Sequence, residues 1–260
     1  MSGDVGYISR GLTSVIIPVL DRRRHWNYRY RLVRPRGFEQ LLDDLGRATC
    51  RPLEVIIVCN GSAGLHPLIA GHPRVDKYCL NSVNAGVSRA WNMGAMLAEG
   101  EFLCFINDDV ELAADSLERL RAVLESDGSI GEIGPCGGRF IDGEAGERLG
   151  QERLEDADEI SGFLFMARRE VFDRVGGFDV RFTPAGFEEI DFSFKVREAG
   201  WRCVVMPGID ARHHNQSGVS VIDAPIHYLN HVATRGELHE RNKRIFLDKW
   251  APARSLGSRA

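Results

Sequence analysis

At 260 residues, with 43% hydrophobic and 27% charged residues, the chain has the composition of a soluble globular protein and enough length to bury one substantial core. A formal net charge of -4 argues against a general attraction to nucleic acid, and no run approaches the roughly 20 apolar residues that span a bilayer. The six cysteines (Cys50, Cys59, Cys79, Cys104, Cys136, Cys203) lack CxxC spacing and suit a reducing cytoplasm.

The first predicted strand is residues 14–20, a β-branched run apolar on both faces, as parallel strands are. Residues 38–48 follow with Phe38, Leu41, Leu42 and Leu45 at helical spacing, and residues 54–59 form a second apolar strand, so the three make a β-α-β unit. A weaker strand at 75–80 leads to a helix at 88–99, which Gly100 ends before the strand Phe102-Leu103-Cys104-Phe105-Ile106. Residues 113–124 read as the next helix. In the less regular second half, strands are expected at 162–167 and 201–206, with helices at 169–175, 188–199 and 237–250. Strands alternating with helices indicate a parallel sheet covered on both faces, with ligands gathering at the carboxyl ends of its strands.

Asn107-Asp108-Asp109 lies at such an end. Two carboxylates roughly 4 Å apart repel by about 4 kcal/mol at an effective dielectric near 20, so a fold that keeps them together commonly supplies a cation. Oxygen ligands favour Mg²⁺ or Mn²⁺, and such a metal favours a diphosphate as its further ligand. Taken alone, the pair fits equally a solvated turn or a helix cap.

The ordered set Ser14 to Asp21, Glu54 to Gly64, Asn84 to Asn92, Asn107-Asp108-Asp109, Gly176-Gly177-Phe178-Asp179, Phe187-Glu188-Glu189-Ile190-Asp191 and His213-His214 resembles family 2 glycosyltransferases. The resemblance implies the GT-A fold: one Rossmann-like, mostly parallel sheet flanked by helices, with a smaller acceptor-side portion. It implies a single domain over 1–260, divided into a nucleotide-sugar-binding half at about 13–110, an acceptor and catalytic half at 111–218, and a helical tail at 219–260. The implied activity is metal-dependent, inverting transfer of a sugar from a nucleoside-diphosphate-sugar donor to a hydroxyl of a glycan or glycolipid, with Mn²⁺ or Mg²⁺ as cofactor.

Carried onto this chain, the resemblance makes Asp109 and His213 metal ligands, and puts Asn107 and Asp108 near the ribose and donor. Pro18, Leu20, Asp21, Cys59, Asn60, Asn84 and Arg89 fall on the donor side, where Cys59 replaces the acid that commonly reads the nucleobase. A thiol cannot accept the same hydrogen bonds strongly, so the base stays open. Glu189 falls on the base that deprotonates the acceptor, with Glu188 in reserve and Asp191 in the same acidic motif. Read without the resemblance, these acids also fit a helix start favoured by its dipole.

The stretch 22–36 interleaves arginine with aromatic residues and contains no acid, which suits phosphate or acceptor contact or a partner surface. Together with the tail helix it leaves room for peripheral contact at the inner face of a membrane, whereas nucleic acid is not an expected partner. Two other classes share parts of this pattern. A nucleotidyltransferase needs a glycine-rich triphosphate loop near the first strand, which this sequence lacks. A non-catalytic sugar-nucleotide-binding or scaffolding protein with the same fold is the remaining alternative.

Overall fold

A computed structural model describes residues 8–20, 37–141, 143–150, 152–214 and 225–257, with side chains as far as residue 251. The first part of the chain alternates strand and helix: β1 (Ser9–Val19), α1 (Phe38–Arg47), β2 (Leu53–Asn60), α2 (His66–Ala70), β3 (Lys77–Asn81), α3 (Val87–Leu97) and β4 (Gly100–Ile106). There follow β5 (Val110–Leu112), α4 (Ser116–Ser126), β6 (Ile130–Gly134), β7 (Gly137–Ile141), β8 (Glu144–Arg148), β9 (Glu155–Asp156), β10 (Glu159–Ile160), β11 (Leu164–Arg168) and α5 (Arg169–Val175). The chain continues through α6 (Glu188–Glu198), β12 (Arg202–Val205), β13 (Ala211–His213), β14 (Ile226–Tyr228), β15 (His231–Ala233) and α7 (Arg235–Gly257).

Eight strands form one sheet in the order β3-β2-β1-β4-β11-β6-β12-β9. β3, β2, β1 and β4 are parallel, and β6 and β12 are parallel to each other. β11 runs antiparallel between β4 and β6, and the short β9 pairs antiparallel at the far edge. The sheet is thus mostly parallel, as expected, and its parallel half of four strands delivers four carboxyl ends to the same side.

Period-two alternation explains why both faces are covered. Val15, Ile17 and Val19 of β1, with Phe102, Cys104 and Ile106 of β4, enter one core cluster with Leu41 and Leu45 of α1 and Leu117 and Leu120 of α4. Ile16, Leu103 and Phe105 enter the other, with Trp91 of α3, Phe172 of α5 and Phe192 of α6. Edge-on and stacked rings bind that second layer, Trp91 lying 5.8 Å from Phe105 and 4.8 Å from Phe178. Phe178 is held by Asn92, whose side chain accepts from Phe178 N–H at 2.9 Å and donates to its carbonyl at 2.8 Å. Gly177 allows this approach: its φ is +64°, and a Cβ there would lie 2.6 Å from Asn92 Oδ1.

A third cluster, absent from the sequence reading, packs Phe140, Phe182 and Phe187 against Phe246 and Trp250 of α7. Three small pairings were also not foreseen: β5 with β13, β14 with β15, and the sheet β10-β7-β8. Their strands of two to five residues are too short to display a period. Among the described residues no helix is long and apolar enough to cross a membrane. Asp21 and the basic stretch 22–36 lie outside the described residues.

Candidate active site

The chain turns sharply where β4 ends. Asn107 N–H donates to the Phe163 carbonyl at 2.9 Å and Val110 N–H to the Asn107 carbonyl at 3.3 Å, so Asp108 and Asp109 sit in a tight turn that starts β5. Both are buried, Asp109 to 1% exposure. β13 then returns antiparallel to β5 with His213 opposite Val110, and His214 N–H donates to the Asp109 carbonyl at 3.2 Å. The register places His213 Nε2 3.2 Å from Asp109 Oδ1 and 3.4 Å from Asn107 Nδ2. Phe163 supports the imidazole from below, stacked at 5.1 Å between centroids and 8° between planes. His214 points elsewhere and meets Glu111 at 2.9 Å.

One carboxylate oxygen and one imidazole nitrogen suit a divalent cation that takes its other ligands from phosphate and water, as Mg²⁺ and Mn²⁺ do. Among the described residues no set of three or more His, Cys, Asp or Glu side chains is arranged to hold a metal by itself.

Beside this turn, the ends of β1 and β2 meet the start of α3. Pro18 is half-buried in β1 opposite Val58, and Leu20 is exposed just past the strand. Asn60 is buried and accepts Ala85 N–H at 2.7 Å, tying the end of β2 to the turn before α3. Asn84 accepts Gly86 N–H at 3.0 Å and donates to the His227 carbonyl at 3.1 Å, linking the same turn to the β14–β15 hairpin. The Cys59 side chain lies in the core, its thiol 3.4 Å from the Ser62 carbonyl. Arg89 does not point freely outward: its guanidinium bonds Thr183 Oγ1 and reaches the Val180 carbonyl at 3.4 Å. Val87 N–H donates to Pro184 O at 2.8 Å, and a Cβ on Gly86 would lie 2.7 to 3.0 Å from Thr183 and Pro184, so residues 180–184 lie directly against the start of α3.

Residues 180–187 lead into the acidic helix start. Phe187, the residue before α6, has φ +76°, a left-handed conformation that costs a bulky side chain on the order of 1–3 kcal/mol and persists only where its surroundings impose it. Glu188 and Glu189 follow, each with one buried carboxylate oxygen lacking a hydrogen-bond partner among the described residues. Burial pushes the Glu188 carboxyl well above the usual carboxylate range, aided by Glu189, and burial likewise raises Glu189. Behind them Glu132 is wholly buried on β6 and pushed by burial up to about 8, and Glu159 is raised to about 7 by burial and by the charge of Glu189. Ser193 and Cys203 lie beside Glu132 without reaching hydrogen-bond geometry.

Asp191 is turned the other way. Its Oδ1 lies 2.8 Å from Lys249 Nζ and accepts Trp250 Nε1–H at 3.0 Å, so it anchors α7. The structure thus joins Asn107, Asp109 and His213 in one contact set, and connects Asn60, Asn84 and Arg89 through residues 180–184 to Glu188 and Glu189. Phe163, Asn242 and Lys249 are contributors that sequence reasoning missed, although the helix carrying the last two was expected at 237–250.

Residues 14–183, well over half of the chain, match the profile described as glycosyl transferase family 2. The chain belongs to that family. This family 2 chain is 27% identical over 220 residues to N-acetylglucosaminyl-diphospho-decaprenol L-rhamnosyltransferase of Mycobacterium tuberculosis, covering 68% of this chain and 71% of that one. It is 26% identical over 243 residues to the uncharacterized protein y4gI of Sinorhizobium fredii, covering 82% of this chain but spanning only 26% of that longer protein. Among solved structures it resembles the mannosyltransferase PcManGT of Pyrobaculum calidifontis in complex with GDP-Man and Mn²⁺ (TM-score 0.56, 20% identity, 75% of this chain and 55% of that one). It also resembles GalNAc-T7 with UDP, GalNAc and Mn²⁺ (TM-score 0.61, 17% identity, 81% of this chain and 44% of that one). These structural likenesses agree with the GT-A fold.

Proposed function

We propose that this family 2 chain is an inverting, divalent-metal-dependent glycosyltransferase that moves a sugar from a nucleoside-diphosphate sugar to a hydroxyl of a glycan or glycolipid. The observation that carries the reading is the Asp109–His213 pair, 3.2 Å apart at the carboxyl end of β4. A Mn²⁺ or Mg²⁺ held there would neutralise charge developing on the departing nucleoside diphosphate. Asp108 serves as a donor contact and Asn107 orients the imidazole. Glu189 accepts the proton of the acceptor hydroxyl as that oxygen attacks, a role worth on the order of 10² to 10⁴ in rate. Burial raises its pKa, which makes the carboxylate a stronger proton acceptor. A glycolipid acceptor is supported by the likeness to the mycobacterial N-acetylglucosaminyl-diphospho-decaprenol L-rhamnosyltransferase.

The test is thermal unfolding with UDP, GDP and dTDP, each with Mn²⁺ and with EDTA, together with transfer assays. A nucleotide at about 100 times its dissociation constant stabilises the fold by roughly 2.7 kcal/mol. A metal-dependent shift for one nucleotide that Asp109→Asn abolishes is expected, and Glu189→Gln keeps that shift while losing transfer. Unaltered transfer by both variants would refute the assignment.

A further inference from the structure

We infer that Asn242 and Arg241 of α7 are positioning residues that set the segment carrying Glu188 and Glu189, an inference that rests on reading Glu189 as the base. Asn242 is 0% exposed, and its side-chain amide donates to the carbonyls of Phe182 at 3.0 Å, Ala185 at 3.0 Å and Gly186 at 2.8 Å. Three carbonyls of one loop therefore converge on a single amide from a different element. The Arg241 guanidinium bonds the Thr183 carbonyl, and also donates to Asn242 Oδ1 and to Tyr228 Oη. Thr183 is thereby held from both sides, by Arg241 at its carbonyl and by Arg89 of α3 at its hydroxyl.

The backbone states what this grip restrains. Gly186 has φ +98° and Phe187 φ +76°, and the next residue begins α6 with Glu188 and Glu189. A bulky residue in the left-handed region relaxes unless held. Phe187 is held by α7, its ring 5.6 Å from Phe246 and 5.5 Å from His239. Polar grip on the carbonyls and aromatic packing on the side chain come from the same helix, so the direction in which Glu189 leaves the loop is set by α7. Because residues 183–184 also touch the start of α3, α7 further registers the proposed base against the donor side.

The test uses the full chain. Asn242→Ala is expected to speed amide exchange at residues 182–189 selectively and to lower kcat by about 10–100-fold, the scale of a small misplacement. KM for the donor and metal-dependent nucleotide binding should stay within about twofold. The acidic limb of kcat should move to lower pH, because a loosened loop admits water to Glu189. Asn242→Ser, which keeps one donor, should restore part of kcat, and Arg241→Met supplies the same readouts should Asn242→Ala fail to fold. Unchanged exchange at 182–189, an unmoved pH limb, or loss of nucleotide binding in step with kcat would overturn the inference. Full transfer by Glu189→Gln overturns the base reading and this inference with it; full transfer by Asn242→Ala, with Glu189→Gln inactive, overturns the inference alone.

Discussion

Nε2 of His213 lies 3.2 Å from Oδ1 of Asp109 because β13 returns to pair with β5 immediately after the acidic turn. His214 occupies the next position but faces Glu111, so the two adjacent histidines are expected to differ sharply in function. His213→Ala should weaken Mn²⁺-dependent nucleoside diphosphate binding by about tenfold or more, roughly 1.4 kcal/mol, whereas His214→Ala should leave it within about twofold. Titration calorimetry of both variants, with metal and with EDTA, checks the contrast.

Glu132 holds its proton up to about pH 8 in the folded chain, from an ordinary value of 4.5. The folded state thus binds more protons than the unfolded state between these values, so stability is fully present below pH 4.5 and declines as pH rises toward 8, by up to about 1.4 kcal/mol per unit. Glu159, raised to about 7, adds to the same slope. Urea unfolding at pH 5, 6.5 and 8 should show Glu132→Gln flattening this decline and gaining stability at pH 8.

Lys249 bridges Asp191 and Asp179, with Nζ 2.8 and 3.0 Å from their carboxylates. Asp191 is wholly buried and, without the ammonium, keeps only the Trp250 indole among its α7 partners, whereas Asp179 retains Arg181. Lys249→Met should destabilise the chain by about 2 kcal/mol, discounted for the partial exposure of the lysine, and adding Asp191→Asn should recover part of the loss. Denaturant midpoints of the single and double variants measure this coupling.

Gly177→Ala should cost about 1–3 kcal/mol, since a Cβ there meets Asn92 Oδ1 at 2.6 Å and Phe172 at 2.9 Å on a residue with φ +64°. The neighbouring Gly176, also at positive φ but with no atom within 4 Å of its Cβ position, should lose less on the same change. Comparing the two by thermal unfolding separates backbone strain from collision.

Much of the parallel sheet was legible because its strands are buried on both faces. Ile16 and Ile17 serve opposite core layers, and such a strand appears in sequence as an unbroken apolar run. The helices at 38–48, 88–99 and 169–175 were legible from apolar spacing, and their observed bounds agree to within two residues. The chain next to the acidic turn was not, because β5 and β13 have three residues each and carry no period. Asp191 illustrates the same limit: its motif suggests work beside Glu189, while its carboxylate is taken by Lys249 and Trp250 from the far end of the chain.

By itself the sequence determined the alternation of strands and helices, the strand end that carries Asp108 and Asp109, and the family, since these follow from local periodicity and motif order. Tertiary structure alone decided that His214 turns to Glu111, which carboxylates share burial with Glu189, and that α7 grips the loop before it. Those outcomes depend on strand register and on hydrogen bonds between residues distant in the chain, which no local pattern of residues encodes.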